Sequence, residues 1–286
     1  MTLGGTNTYV VGSEPAYVID PGPDDRDHIA AVLAEAKRRG GLGGVVLTHS
    51  HADHSAGVAP LGGELLWGHP GQSDEPSALT AALAQPAGDA SVPGPSTGSA
   101  ADPRTRRGGA SPATSVDSSV SAAEASSGAA ASPSPELRAG PFTVIPTAGH
   151  AADHVCFVLG DVGFCGDLIL GEGSTIVPPA AGGGSLADYM ASLTRIAELD
   201  LELLCPGHGP WIGDPAAAIA AYKRHRQARE SRLVAALDSG VRSRAKLLDL
   251  AWDDVPAELR PAAALAMEAH LEKLEAEDRG PGQLDV

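Results

Sequence analysis

The chain has 286 residues, enough for one sizeable catalytic domain and a small appended unit. Its 43% hydrophobic and 20% charged residues are ordinary for a soluble globular protein, but only 3% are aromatic, so Ala, Val, Leu and Ile must fill the core. The formal net charge of −16 repels polyanions at long range and disfavours a bulk nucleic-acid-binding role.

The predicted elements up to residue 213 alternate between strands and helices. Strands are predicted at 7–11, 16–20, 44–48, 64–68, 142–145, 155–159, 162–165 and 203–205. Helices are predicted at 25–39 and 185–199. Mixed strands and helices, with functional residues at strand ends, predict an α/β layered catalytic domain over residues 1–213.

Residues 86–135 have a different composition. Forty of these fifty residues are Ala, Gly, Pro, Ser or Thr, and none is Leu, Ile or aromatic. Because such a segment cannot bury enough apolar area to offset its ordering entropy, we predict a disordered surface insertion. The flanking strands should stay intact, since long surface loops cost little to close.

The end of the chain is helical in pattern. Helices are predicted at 214–237, 243–252 and 256–274, and 283–286 reads as a terminal strand. Together these elements predict a small winged-helix-like domain over residues 214–286.

Cysteine usage and hydropathy bear on the compartment. Cys156, Cys165 and Cys205 include no CxxC pair, so we expect reduced thiols packed as small hydrophobes in a cytoplasmic protein. The sequence has no run of eighteen apolar residues and no signal-peptide pattern at its start, so we expect no membrane association.

Three imidazoles and a carboxylate lie within six residues directly after a predicted buried strand. They belong to His49, His51, Asp53 and His54. His49 and His51, two residues apart in an extended loop, point the same way and can bind one metal ion. Asp53 and His54 are offset and suit a second. This mixture of donors suits zinc and similar first-row ions.

Three further ligand candidates follow other predicted strands. They are His150, Asp167 and His208, each beside a glycine that lets the backbone turn tightly. One such residue would be weak evidence, but all four motifs in this order are strong evidence for a metal site.

These motifs resemble the metallo-β-lactamase superfamily, whose fold is an αββα sandwich. The resemblance implies that His49, His51 and His150 bind one metal, that Asp53, His54 and His208 bind another, and that Asp167 bridges them. His54 and Asp167 point towards the glyoxalase II and ribonuclease Z side of the superfamily.

A closer resemblance is to the lactamase-β-like protein 2 subgroup, which includes endoribonucleases acting on single-stranded RNA. It rests on Asn7-Thr8-Tyr9, on 165–173 and 205–210, on the helix containing Tyr222 and Arg226, and on the C-terminal helices. It covers the chain except residues 72–136. The family also has a strand before the segment matching Met1, so we expect an internal start or a missing edge strand.

The resemblance implies hydrolysis by a hydroxide that two divalent ions share, with zinc expected and manganese the alternative. Asp53 would also orient the nucleophile. His154 would contact a phosphate or protonate the leaving group, or instead hydrogen-bond a ligand from behind. His69, at a strand end, is more often structural than a site residue.

Residues 222–246 contain eight Lys/Arg against two Asp/Glu. They form either a solvated helix face or a local path for an RNA backbone. The C-terminal unit could equally serve as a lid or as a homodimer surface.

Three functions remain open. The first is a phosphodiesterase, an endoribonuclease on single-stranded RNA. The second is a glyoxalase II-like hydrolase of thioesters or other small esters, which the acidic net charge slightly favours. The third is a non-enzymatic nucleic-acid-binding module, against which the intact ligand set argues strongly. Fold alone does not choose between substrates.

Overall fold

The computed structural model describes residues 5–68, 137–280, 282, 284 and 285. The insertion predicted at 86–135 and the candidate His69 lie outside these residues, as does part of the predicted terminal strand. Among the described helices, none has both the length and the apolar character needed to cross a membrane.

Two β-sheets form the middle of the catalytic domain. The first has the order β1-β2-β3-β4, with strands Tyr9–Val11, Ala16–Ile19, Leu42–Val46 and Leu65–Trp67. The second has the order β5-β6-β7-β8-β9, with strands Arg138–Ala139, Phe142–Pro146, Val155–Leu159, Val162–Gly166 and Leu203–Pro206. All predicted strands up to residue 213 are present with slightly shifted ends, and β5 is additional.

Helices cover the outer face of the first sheet. They are α1 (Arg26–Arg38) and two one-turn helices, α2 (Ala52–Ser55) and α3 (Val58–Leu61). Because successive strand residues point to opposite faces, Val18 packs with Ile29 of α1, whereas Ile19 packs with Phe142 and Phe157 of the second sheet.

The second sheet follows the same rule. Phe164 of β8 faces the first sheet, and its neighbour Cys165 packs with Tyr189 and Leu193 of α4 (Leu186–Ala197). The layers are therefore helix, sheet, sheet, helix, which confirms the expected αββα architecture. All three cysteines are free and buried, as predicted.

Three helices follow residue 213: α5 (Pro215–Asp238), α6 (Arg244–Ala251) and α7 (Arg260–Ala276). Helix α5 contributes to two cores. Ile219, near its start, packs with the α4 cluster, whereas Leu233 and Leu237, near its end, pack with α6 and α7. Contacts made along α5 can thus reach both the catalytic sandwich and the C-terminal helices.

The prediction of one helix over 256–274 was wrong at its start. Residues Ala257–Leu259 form a separate 3-10 turn, and α7 begins at Arg260 with Pro261 in its first turn. A helix begun at Pro256 would place Pro261 in its interior, where proline removes a hydrogen bond and clashes with the preceding turn. In the described part of the predicted terminal strand, Asp285 forms a single β-bridge with Ser243.

Candidate metal centre

All seven predicted ligands lie in segments that directly follow strands. His49, His51, Asp53 and His54 follow β3, His150 follows β6, Asp167 follows β8 and His208 follows β9. The structure brings their donor atoms together in three overlapping groups, and within each group these atoms lie within 4.8 Å of one another. Two of these groups share no residue and are described first; the third, of His49, His54 and Asp167, links them. Asp53 and His54, which the sequence set apart from the pair His49 and His51, belong to the one-turn helix α2.

The first group contains three imidazoles, those of His49, His51 and His150. Its contact atoms are His49 Nε2 and His51 Nδ1, 2.9 Å apart, and His150 Nε2, 3.1 Å from the same His51 atom. His49 and His150 are buried and His51 is exposed. Three nitrogens at these separations match the donor set of a tetrahedral zinc site that keeps one open position.

The second group combines a carboxylate with two imidazoles. Asp53 Oδ2 lies 3.4 Å from His208 Nε2 and 3.8 Å from His54 Nε2. Both histidines are buried and Asp53 is partly exposed. This group brings a formal negative charge that the first group lacks.

Asp167 faces both groups. Its Oδ2 lies 3.6 Å from His150 Nε2, and its Oδ1 lies 3.5 Å from the Nε2 atoms of His54 and His208. One carboxylate oxygen is therefore directed to each group, the arrangement that the family resemblance implies for a bridging ligand. Gly207 permits this approach, because a Cβ at that position would lie 2.5 Å from Asp167 Oδ1.

Four of the five imidazoles are held through the ring nitrogen that faces away from the site. The partners of these Nδ1 atoms are Thr48 Oγ1 for His49 (3.0 Å), Asp20 Oδ2 for His54 (2.9 Å), the Ile176 carbonyl for His150 (2.7 Å) and the Gly5 carbonyl for His208 (3.0 Å). A carbonyl or carboxylate oxygen accepts only from a protonated nitrogen. Thr48 Oγ1 gives its own hydrogen to Asp20 Oδ2, so it likewise accepts from His49 Nδ1. These contacts therefore fix tautomers whose Nε2 lone pairs point into the site, as metal ligation requires.

Two buried atoms of the site have no hydrogen-bond partner among the described residues. They are His54 Nε2 and Asp167 Oδ1, which face each other across the second group. Leaving such atoms unpaired costs free energy, which a cation between them would offset. The donor set and these unpaired atoms fit a pair of divalent metal ions.

Protonation tendencies differ between the groups. Burial and the surrounding imidazoles lower the pKa of His49, and burial also lowers the pKa of His150. Burial opposes a charge on His54, but Asp20 and the neighbouring carboxylates outweigh it and raise its pKa. The carboxylates of Asp167 and Asp53, 3.5 and 3.4 Å from His208 Nε2, raise the pKa of His208 to about 10. The second group thus favours a positive charge between its carboxylates, whereas the first group disfavours one.

Asp20 is a functional residue that the sequence prediction missed. Its carboxylate is buried and accepts three hydrogen bonds, from the Thr48 backbone N–H (2.7 Å), Thr48 Oγ1 (2.7 Å) and His54 Nδ1 (2.9 Å). Its backbone has a positive φ of 49°, a conformation that Asp tolerates better than most residues. In the sequence, Asp20-Pro21-Gly22 reads as the end of a strand, and that turn pattern concealed its role.

His154 lies behind the site and is fully buried. Its Nδ1 is 2.8 Å from Thr147 Oγ1, and its Nε2 accepts from the Asp167 backbone N–H at 3.1 Å. Burial lowers its pKa to about 3, so the ring is neutral near pH 7. This geometry favours a histidine that hydrogen-bonds a ligand from behind over one that contacts a phosphate or protonates a leaving group.

The basic stretch at 222–246 is largely engaged within the protein. Six of its eight basic side chains donate to protein groups: Lys223, Arg226, Arg229, Arg232, Arg242 and Arg244. Arg226 and Arg229 are buried. The arrangement favours a structural helix face over an open path for an RNA backbone.

Comparisons with known proteins identify the families that the chain matches. The family model described as the metallo-beta-lactamase superfamily matches residues 1–208, and the one described as a beta-lactamase associated winged helix domain matches residues 243–279. A beta-lactamase-like protein 2 homolog of Drosophila melanogaster is 27% identical over 286 residues, covering 98% of this chain and 85% of that protein. Both resemblances predicted from the motifs are thereby confirmed.

A fungal relative has a more specific name. An atrochrysone carboxyl ACP thioesterase of Aspergillus chevalieri is 31% identical over 241 residues, which cover 82% of this chain. The match spans only 61% of that protein's length.

Among solved structures, a beta-lactamase domain protein from Burkholderia ambifaria matches with a TM-score of 0.62. The match has 20% identity and covers 96% of this chain and 82% of that one. At this identity the likeness bears on the fold alone.

Proposed function

The chain belongs to the metallo-beta-lactamase superfamily, and we propose that it is a dinuclear metal-dependent hydrolase of thioesters or similarly activated esters. Family membership makes it a metal-dependent hydrolase; the two-metal site and the substrate class are the proposal. The observation that carries it is the convergence of all seven ligand side chains, with Asp167 directed to both groups. We propose zinc for the imidazole group, and zinc or manganese for the group with carboxylates.

Two divalent ions held by these residues would lower the pKa of bound water to about 7. They would also offset negative charge that develops on the substrate oxygen. The protein's own groups orient the reactants. His51 is exposed and Asp53 partly exposed, so substrate enters on their side. Hydrogen bonding by His208 lowers the pKa of Asp53. Its carboxylate is therefore ionised and can accept a hydrogen bond from the attacking water.

Charge supports the thioester proposal over RNA. The net charge is −16, and the basic stretch predicted as an RNA path is mostly engaged within the protein. An RNA strand carries one negative charge per nucleotide and needs open basic groups to offset its repulsion from an acidic surface. A thioester makes no such demand. The name of the fungal relative, an ACP thioesterase, points in the same direction.

The endoribonuclease function expected from the sequence stays a second candidate. One observation favours it: the beta-lactamase-like protein 2 homolog aligns over 98% of the chain, including the C-terminal helices. The subgroup resemblance that led to this expectation therefore extends over both parts of the molecule.

The test compares substrates on one metal-loaded preparation. S-lactoylglutathione and an acyl thioester of N-acetylcysteamine are assayed beside a fluorogenic single-stranded RNA. His51→Ala removes a ligand of the first group. His225→Ala removes a half-buried histidine of α5 outside the site and is the matched control. We expect thioester turnover that His51→Ala abolishes and His225→Ala leaves intact.

RNA cleavage with the same dependence on His51, in the absence of thioester turnover, would replace the proposal with the nuclease function. Two bound metals with no turnover of either substrate would contradict both candidates.

A further inference from the structure

The loop after β8 connects the two ligand groups. It begins at the bridging candidate Asp167, and nine residues later the carbonyl of Ile176 accepts the hydrogen bond from His150 Nδ1 at 2.7 Å. Residues 167–179 contain neither strand nor helix. Contacts with the rest of the protein therefore hold this loop. At its start, the Gly171 N–H donates to the His208 carbonyl at 2.8 Å, and Tyr189 Oη donates to the Leu168 carbonyl at 2.7 Å.

Helix α5 also holds the loop, through two residues one turn apart. Tyr222 Oη accepts from the Leu170 backbone N–H at 2.9 Å. Arg226 Nη2 donates to the Thr175 carbonyl at 2.5 Å, one residue before the carbonyl that holds His150. The hydroxyl of Thr175 also lies 3.4 Å from His150 Nδ1.

Arg226 is also connected to the His150 region through Tyr189. Its guanidinium lies over the Tyr189 ring, 5.3 Å from the centroid. The Tyr189 backbone packs directly on Gly149, where a Cβ would lie 2.5 Å from the Tyr189 nitrogen. Arg226 thus contacts two parts of the protein that adjoin His150. One is the loop whose carbonyl accepts from the His150 ring, and the other is Tyr189, which packs against Gly149.

We infer that Arg226 is a positioning residue for the first metal group, holding His150 in its ligating orientation through the 175–176 backbone and Tyr189. The inference rests on the proposed metal centre. It gives α5 a role in assembling the site, in place of the RNA path expected from its basic sequence. The side chain is only 5% exposed, so its charge is not available at the surface.

Arg229 is a matched control on the same helix. It is 7% exposed and donates to one carbonyl, that of Ala251, at 2.7 Å. Its guanidinium lies over an aromatic ring, Trp252, at 5.6 Å. Like Arg226, it has a buried Nε without a partner among the described residues. Its contacts, however, lead into the C-terminal helices, and it also pairs with Asp254.

The experiment measures zinc affinity by competition with a chromophoric chelator for the full-length wild type, Arg226→Met and Arg229→Met, with thermal unfolding recorded for each. We expect Arg226→Met to weaken binding of one of the two zinc ions by about tenfold or more, the usual cost of losing a partner that orients a ligand. Arg229→Met should lower the melting temperature comparably and leave both zinc affinities unchanged. Tyr222→Phe, which loosens the same loop, should show a smaller loss of affinity.

Unchanged affinity in folded Arg226→Met, or an equal loss in Arg229→Met, would overturn the positioning role. If Arg226→Met does not fold, Arg226→Lys and Arg229→Lys replace the pair, and a difference of the same sign is expected. A wild type that binds no zinc would instead refute the proposed metal centre, so the two failures are distinguishable.

Discussion

The two ligand groups differ in charge, and each draws part of its support from a different part of the chain. In the first group, His150 is held by a carbonyl of the loop that α5 packs against. In the second, His54 is held by Asp20 and His208 by Gly5, both near the N-terminus. The two metal affinities should therefore be separable by mutation, even though Asp167 faces both groups and the ligand atoms lie a few ångströms apart.

Removing Asp167 should have the largest effect, because it is the ligand candidate whose two oxygens face different groups. We expect Asp167→Ala to lower kcat/KM by about a thousandfold or more, beyond the roughly 10–100-fold cost of losing an orienting partner. Bound metal, measured by elemental analysis after gel filtration, should fall for both groups. Asp200→Ala, at an exposed position far along the chain, is the control. Retention of two metals by Asp167→Ala would contradict the bridging role.

Asp20→Asn should affect the second group more than the first, because His54 bonds Asp20 directly whereas His49 is linked to it only through Thr48 Oγ1. Asp20 accepts from Thr48 on one oxygen and from both Thr48 Oγ1 and His54 Nδ1 on the other. Asn keeps the size and tolerates the positive φ, but its single oxygen cannot serve both sides. Its NH₂ must face either the Thr48 N–H or the donors from Thr48 Oγ1 and His54. We expect a loss of about 10–100-fold in affinity for one zinc ion.

Chelator competition then measures both zinc affinities of Asp20→Asn, of Arg226→Met and of the variant that combines them. The double variant should lose affinity at both sites, whereas each single variant should lose it mainly at one. If the two single variants weakened the same zinc ion, the division of support between the N-terminal and C-terminal parts would be wrong.

The clustering of the ligand candidates was predictable from sequence, because each lies after an apolar strand, beside glycines or within one dense motif. The layers were predictable because residues such as Val18 and Ile19 alternate between two apolar faces. Asp20 was not predictable, since a buried acceptor for distant donors has the same local sequence as a turn. The basic stretch misled for a related reason: sequence shows the charge of Arg226 and Arg229, but not the carbonyls and rings that bury them.

The smallest effect should come from Glu230, on the part of α5 that faces α7. The His270 ring, 3.6 Å away, and the Lys273 ammonium, 2.9 Å away, lower the pKa of this carboxyl from 4.5 to about 2, and Arg279 lies 3.7 Å from it. A lowered carboxyl pKa stabilises the folded state fully above pH 4.5, and this stabilisation is lost as pH falls through about 2. We therefore expect Glu230→Gln to lower the free energy of unfolding of the metal-free protein by about 2 kcal/mol at pH 7.

That difference from wild type, measured by urea unfolding, should stay constant down to about pH 5 and shrink below pH 4.5. Zinc affinity at pH 7 should not change, because Glu230 contacts α7 and the residues after it and makes no contact with the loop that holds His150. If the full difference in unfolding free energy between Glu230→Gln and wild type persisted at pH 2.5, the charge of the Glu230 carboxylate would not be its cause. A fall in zinc affinity as large as that of Arg226→Met would mean that α5 supports the metal site through its overall stability, and not through the contacts of Arg226.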